Sequence, residues 1–127
     1  MTGSWTAPAA PQSVGRLRTA VVQFAAAAGF PREALGDVRL AVSEALTNAV
    51  VHGYREGATG EVSVRARLHR AGGLEVVVED TGIGLAPRLD SPGLGIGLPM
   101  IAALTAASSV TARAGGGTVV RMTFAVA

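Results

Sequence analysis

Lysine and cysteine are both absent from this 127-residue chain. Without cysteine there is no disulfide framework, no thiolate zinc site and no thiol nucleophile. Without lysine there is no P-loop, whose phosphate cradle depends on that side chain. All eleven basic residues are therefore Arg, which lifts the pI although nine acidic residues leave a formal net charge of only +2. Aromatics are scarce, at 4%, and no basic run is interleaved with them, so the pattern of a nucleic-acid-binding surface is missing. No apolar run approaches the ~18 residues that a membrane-spanning helix needs. The opening MTGSWTAPAAPQ has no charged stretch leading into an apolar one, so it does not read as a secretion signal. With 49% hydrophobic residues, what remains is one soluble domain with a single sizeable core, expected in the cytoplasm.

Residues 1–11, rich in Pro, Ala and Ser, read as a flexible or weakly ordered segment, with Ser4-Trp5-Thr6 as at most a short edge strand. Residues 12–127 read as the folded domain. Val14, Leu17, Val21, Phe24, Ala25 and Ala28 recur at helical spacing and stop at Gly29, a residue that ends helices. A second helix begins near Arg32–Asp37 and closes at Gly53. The period then switches from helical to two. Val62, Val64, Ala66 and Leu68 alternate with Ser63, Arg65 and Arg67, as in a strand with one wet face. Ala71-Gly72-Gly73 supplies a turn, and Leu74–Val78 is a buried strand ending in Glu79-Asp80. Pro99–Ala106 predicts a short helix, and Ser109–Ala114 pairs with Thr118–Val126 around Gly115-Gly116-Gly117. The fold class is α+β: a two-layer sandwich with helices on one face of a mixed, mostly antiparallel sheet.

The second helix, DVRLAVSEALTNAVVHG, organises the rest. At about 100° per residue, Asp37, Ala41, Glu44, Asn48 and His52 fall in one narrow stripe. Leu35, Val38, Val42, Ala45, Leu46 and Ala49 form an apolar stripe beside it. Glu44 and Asn48 stand four residues apart, so their side-chain oxygens reach toward one shared ligand. A carboxylate and an amide oxygen so placed could hold a hydrated Mg²⁺ and activate a hydroxyl or a water. The same residues also suit an ordinary solvated helix face, and His52 suits a structural or capping role better than a catalytic one.

Two glycine clusters follow. Asp80-Thr81-Gly82-Ile83-Gly84 sits at the end of a buried strand, and Gly93-Leu94-Gly95-Ile96-Gly97 opens a helix. Such glycines let the backbone approach a ligand closely, and successive N–H groups at a helix start suit phosphate oxygens. An Asp at a strand end can accept a hydrogen bond from an exocyclic amine, favouring adenine over guanine. Flexible turns would use the same residues. A Rossmann fold is excluded, because the spacing is not G-x-G-x-x-G and no βαβ unit surrounds it.

The order of these features is more specific than any one of them. Glu-x-x-x-Asn on a helix precedes Asp-x-Gly-x-Gly after a strand, then Gly-x-Gly-x-Gly, then Gly-Thr in the last hairpin. The chain from about Pro11 onward resembles the GHKL ATPase superfamily, with its Bergerat ATP-binding fold. Within it, SEALTNAVVHGY at 43–54 and VEDTGIGL at 78–85 resemble the motifs of the anti-sigma-factor serine/threonine protein kinases. The resemblance implies ATP and Mg²⁺ as cofactors, with Glu44 as the general base toward the acceptor hydroxyl and Asn48 as the metal ligand. It implies Asp80 as the reader of the adenine amine, with Thr118 assisting through water. Gly82 and Gly84 would shape the adenine pocket, Gly93, Gly95 and Gly97 would wrap the phosphates, and Ala49, Ile83 and Leu98 would supply apolar walls. The family often carries an Arg before the second glycine cluster. Here Asp90-Ser91-Pro92 stands in that place, the lid Leu85–Pro92 is short, and Arg88 is the candidate lid cation. The implied partners are a sigma factor in one state and a small anti-anti-sigma (STAS-type) protein in the other, phosphorylated on Ser. A homodimer is implied as well. Two alternatives stay open: an ATP-gated sequestering module without efficient phosphotransfer, and an isolated histidine-kinase-type catalytic domain. The second would have only His52 and His69 and no dimerisation helix pair carrying a phosphoacceptor His.

Overall fold

The structure, a computed structural model, describes residues 1–53, 60–81 and 97–125. Among these residues five strands make one sheet: β1 (Thr2–Pro8), β2 (Glu61–Leu68), β3 (Leu74–Asp80), β4 (Ala107–Ala112) and β5 (Thr118–Phe124). Their spatial order is β1-β2-β3-β5-β4. Every pairing is antiparallel, so the mixed component of the expected sheet is absent among the described residues. The reason is topological. β3 and β4 run the same way, but β5 returns between them and pairs with both.

β2 occupies the residues its alternation predicts, and its register with β3 sets Val64 opposite Val78 and Val62 opposite Asp80. The turn between them closes with His69 N–H donating to the Gly73 carbonyl at 2.8 Å. Gly72, at φ 98°, takes the left-handed conformation that a side chain would disfavour.

The short edge strand expected at Ser4-Trp5-Thr6 is longer than its composition suggests: Thr2–Pro8 pairs residue for residue with Arg67–Glu61 at the edge of the sheet. What holds it is packing that composition does not reveal. Trp5 meets Phe24 edge to face with ring centroids 5.8 Å apart, and Ala7, Ala9 and Ala10 are buried. Gly3 leaves the space that the Trp5 ring fills.

Among the described residues, three α-helices cover one face of the sheet: α1 (Pro11–Ala27), α2 (Leu35–Gly53) and α3 (Gly97–Leu104). Pro11 starts α1, where its missing N–H costs nothing. α1 stops in a Schellman arrangement: Gly29 N–H donates to the Ala26 carbonyl at 3.1 Å and Phe30 N–H to Ala25 at 2.9 Å. Gly29 adopts φ 93°, and Phe30 is buried beneath the turn. A short 3-10 turn, Arg32–Ala34, then leads into α2.

α2 lies between α1 and α3 and packs on β3. Its apolar stripe goes inward: Val38, Val42, Ala45 and Leu46 are fully buried and Ala49 nearly so, whereas Leu35 is half-buried. Ala41, which helical geometry puts in the polar stripe, is fully buried too. Flanking helices on both sides widen the arc of α2 that is removed from water. Inward residues of β2, β3 and β5 join these in one core cluster, with Ile101 of α3 among them. This is the expected two-layer α+β sandwich.

Candidate functional site

On α2 the predicted polar pair is where the spacing puts it. Glu44 and Asn48 are each half-buried, next to fully buried Ala45 and nearly buried Ala49. Neither makes a side-chain hydrogen bond or ion pair with another described residue. A carboxylate and an amide partly withdrawn from water, and not used to hold the fold, are available to a ligand. Asp37, in the first turn, is exposed, so the stripe deepens along the helix from Asp37 to Asn48. The side chain of His52 lies outside the described residues.

Asp80 ends β3 and is 5% exposed. Leu74, Val76 and Val78 face the core, so strand alternation turns Asp80 to the same helix-covered side. Its cross-strand neighbours are Val62 on β2 and Thr118 on β5. Thr118 shares the inward side with Val120 and Met122, so Asp80 and Thr118 are adjacent on one surface. The two sequence-predicted base readers are thus brought together.

The strand end is anchored from both flanks. Thr81 Oγ1 accepts from Glu61 N–H at 3.0 Å, and Thr81 N–H donates to the Glu61 carbonyl at 3.1 Å. On the other flank, Gly117 is buried with φ 102°, and a Cβ there would fall on the Asp80 carbonyl. Sequence reasoning read Gly117 as part of a turn and missed this close approach. The signal was present in the Gly-Thr pair, since a glycine just before a predicted ligand-binding residue often marks backbone contact. Gly117→Ala is expected to cost at least about 1–3 kcal/mol from the backbone conformation alone. It should lower the melting temperature and weaken nucleotide binding together; a variant unchanged in both would remove Gly117 from the site.

Among the remaining predicted residues, Gly97 opens α3, which packs on α2. Leu98 follows in the same helix, with its side chain outside the described residues. Gly82, Ile83, Gly84, Arg88, Gly93 and Gly95 also lie outside them. The described site therefore consists of a carboxylate–amide pair on the central helix and, on the strands beneath the helical layer, buried Asp80 beside half-buried Thr118. That combination places an acceptor-rich patch on a two-layer α+β domain without lysine.

The Histidine kinase-like ATPase domain family matches residues 7–124, and this chain belongs to that family. Family membership makes ATP the ligand class. The chain is 40% identical over 88 residues to the serine-protein kinase RsbW of Bacillus licheniformis, covering 69% of this chain and 54% of that protein. To the anti-sigma F factor of Priestia megaterium it is 35% identical over 68 residues, covering 54% of this chain and 46% of that protein. The chain spans about half the length of the curated relatives it matches. Among solved structures, the RsbU and RsbW domains of Rv1364c from Mycobacterium tuberculosis superpose with a TM-score of 0.77 at 26% identity. That match covers 98% of this chain and 32% of that one. The histidine kinase domain of a blue-light activated kinase from Erythrobacter litoralis gives 0.60 at 29% identity, over 89% of this chain and 59% of that one. The resemblance drawn from SEALTNAVVHGY and VEDTGIGL is met by relatives bearing those names.

Proposed function

We propose that this domain is an anti-sigma factor that works as an ATP-dependent serine/threonine protein kinase. In one state it binds a sigma factor; in the other it phosphorylates a Ser of a small anti-anti-sigma protein of the STAS type. The observation that carries the kinase reading is the half-buried Glu44–Asn48 pair, without a side-chain partner among the described residues, on a helix packed over β3, at whose end Asp80 is buried. The names of the RsbW and anti-sigma F relatives support the choice of acceptor and of partners.

Phosphoryl transfer asks a protein for positioning and charge neutralisation more than for covalent chemistry. Asp80 accepts a hydrogen bond from the adenine amine, and Thr118 assists through water. Ala49 supplies part of the apolar wall, with Ile83 and Leu98 as further members. Gly82 and Gly84 shape the adenine pocket; Gly93, Gly95 and Gly97 give backbone N–H groups to the phosphates, and Arg88 is the lid cation. Glu44 takes the proton of the acceptor hydroxyl as its oxygen bonds to the γ-phosphorus. The bond from that phosphorus to the bridging oxygen breaks, and ADP leaves.

Among the described residues no cluster of three or more His, Cys, Asp or Glu side chains could cage a metal ion. A Mg²⁺ ion in a nucleotide site is held by few protein oxygens together with phosphates and water. Asn48 is the side chain that would hold it, and the ion would neutralise charge on the phosphates. Asn48→Ala is expected to remove the dependence of ATP affinity on Mg²⁺, measured by titrations with and without chelator; a variant that keeps the dependence contradicts the assignment.

Among the described residues no helix is long and apolar enough to cross a membrane, and the reading takes the domain to be cytoplasmic and homodimeric. The direct test mixes the protein with Mg-ATP labelled at the γ-phosphate and candidate anti-anti-sigma proteins. Label on a partner Ser is the expected result. ATP binding without label on any partner would favour an ATP-gated sequestering module.

A further inference from the structure

We propose that Arg113 is a positioning residue for base recognition, acting through Glu79 and the β4–β5 turn to fix Asp80 against Thr118. The inference rests on the reading of Asp80 as the adenine acceptor. Arg113 sits at the start of the turn and uses its guanidinium in two directions. Nε donates to Glu79 Oε2 at 2.6 Å, and Nη1 donates to the Gly116 carbonyl at 3.2 Å. Its backbone closes the same turn: Arg113 N–H donates to the Gly117 carbonyl at 2.9 Å, and its carbonyl accepts from Gly116 N–H at 3.0 Å.

The turn needs such a brace. Gly115, Gly116 and Gly117 have φ of 87°, 110° and 102°; three consecutive residues without side chains have the largest conformational freedom to lose on ordering. Arg113 is the side chain that ties the turn to a neighbouring strand. Its anchor, Glu79, immediately precedes Asp80. By strand alternation Glu79 faces the open side of the sheet while Asp80 faces the helices, so the ion pair grips β3 from behind without touching the ligand.

The geometry gives the pair more weight than an ordinary surface contact. Both side chains are about two-thirds covered, at 33% and 29% exposed, and a short charge-assisted hydrogen bond is directional. Arg65 approaches the other Glu79 oxygen at 4.0 Å, a looser contact. Gly117 then transmits the brace, because its backbone is packed on the Asp80 carbonyl and Thr118 follows it directly. A turn released from Glu79 can shift Thr118 relative to Asp80. The proposed phosphate-binding glycines are distant in sequence from this turn and from Glu79. The expected defect is in reading the base.

The test compares affinities for ATP and ITP, which share the triphosphate and differ at the base position that Asp80 reads. Titrations with Mg²⁺ present are made on the wild type, Arg113→Ala, Arg113→Lys and Glu79→Gln, each with a thermal melt. The wild type should prefer ATP by about tenfold or more, the scale of one hydrogen bond to a charged group. In Arg113→Ala and Glu79→Gln that preference should fall by about three- to tenfold through lost ATP affinity, with ITP affinity little changed. Arg113→Lys keeps the charge but not the fork that spans Glu79 and Gly116, and should lie between. An equal loss for both nucleotides, or an unchanged preference, overturns the positioning role. A wild type with no preference would instead overturn the reading of Asp80. Should Arg113→Ala fail to fold, Glu79→Gln and Arg113→Lys decide the matter by the same ratio.

Discussion

Asp80→Asn is expected to abolish measurable adenine-nucleotide binding while leaving the fold intact. The carboxylate is 5% exposed and ends a strand anchored on both flanks, so an amide of the same shape can be accommodated. What changes is the chemistry presented to the base. A carboxylate offers acceptors to the adenine amine, whereas an amide can turn a donor toward it. Losing a hydrogen bond to a charged group removes about 1.5–3 kcal/mol, and leaving the amine buried without a partner adds about 1–3 kcal/mol. Together these predict a loss of about 100-fold or more in affinity. Calorimetric titration with Mg-ATP gives the number, and a circular dichroism melt checks the fold. GTP should bind the wild type poorly for the same reason. Unchanged ATP affinity in the variant, or tight GTP binding by the wild type, would place the base elsewhere.

The second large effect is expected at Glu44. General-base catalysis contributes about 10²–10⁴-fold, and Glu44→Ala should lower phosphate transfer to a partner Ser by that order. ATP affinity should stay within about threefold, because a group that acts on the acceptor hydroxyl is not required for ground-state nucleotide binding. The fold should hold as well. Glu44 is half-buried and makes no hydrogen bond or ion pair with a described residue, and Ala is the better helix former. Transfer of γ-labelled phosphate, followed over time at saturating ATP, measures the effect. Full activity in Glu44→Ala would take the base away from this position and leave binding as the function of the α2 stripe.

These expectations were accessible from the sequence because the signals are local. Glu44 and Asn48 share a helix face by spacing alone, and the alternation of Val62, Val64 and Ala66 reads directly as a strand with one covered side. Asp80 could be placed because it closes an apolar run. Only the middle of β1, Ser4-Trp5-Thr6, was legible as a strand, because its partner is distant: Trp5 pairs with Val64 and packs on Phe24, while Pro and Ala dominate the local composition. The fully antiparallel pairing was equally out of reach, since it depends on β5 returning between β3 and β4. Contacts made across the fold leave no periodicity. Arg113 and Glu79 are 34 residues apart, and nothing near either one announces the other. The close approach of Gly117 to Asp80 is of the same kind, a property of two strands and not of one segment.

The alanines of α2 have a consequence for how this protein can vary. Ala41, Ala45 and Ala49, one per turn, are buried at 0%, 0% and 5% exposure, on the helix that also carries Glu44 and Asn48. A larger residue at any of them has no room to enter without moving the helix away from its neighbours. Chemistry and thermal tolerance are therefore inherited on one rod. Substitutions that enlarge these alanines are expected to be temperature-sensitive, with heat tolerance and the proposed phosphate transfer declining together. With Glu44 as the proposed base, changes there are expected to lower phosphate transfer at every temperature and spare the scaffold. A screen that sorts inactive variants by whether cooling rescues them would separate the two sets along a single helix.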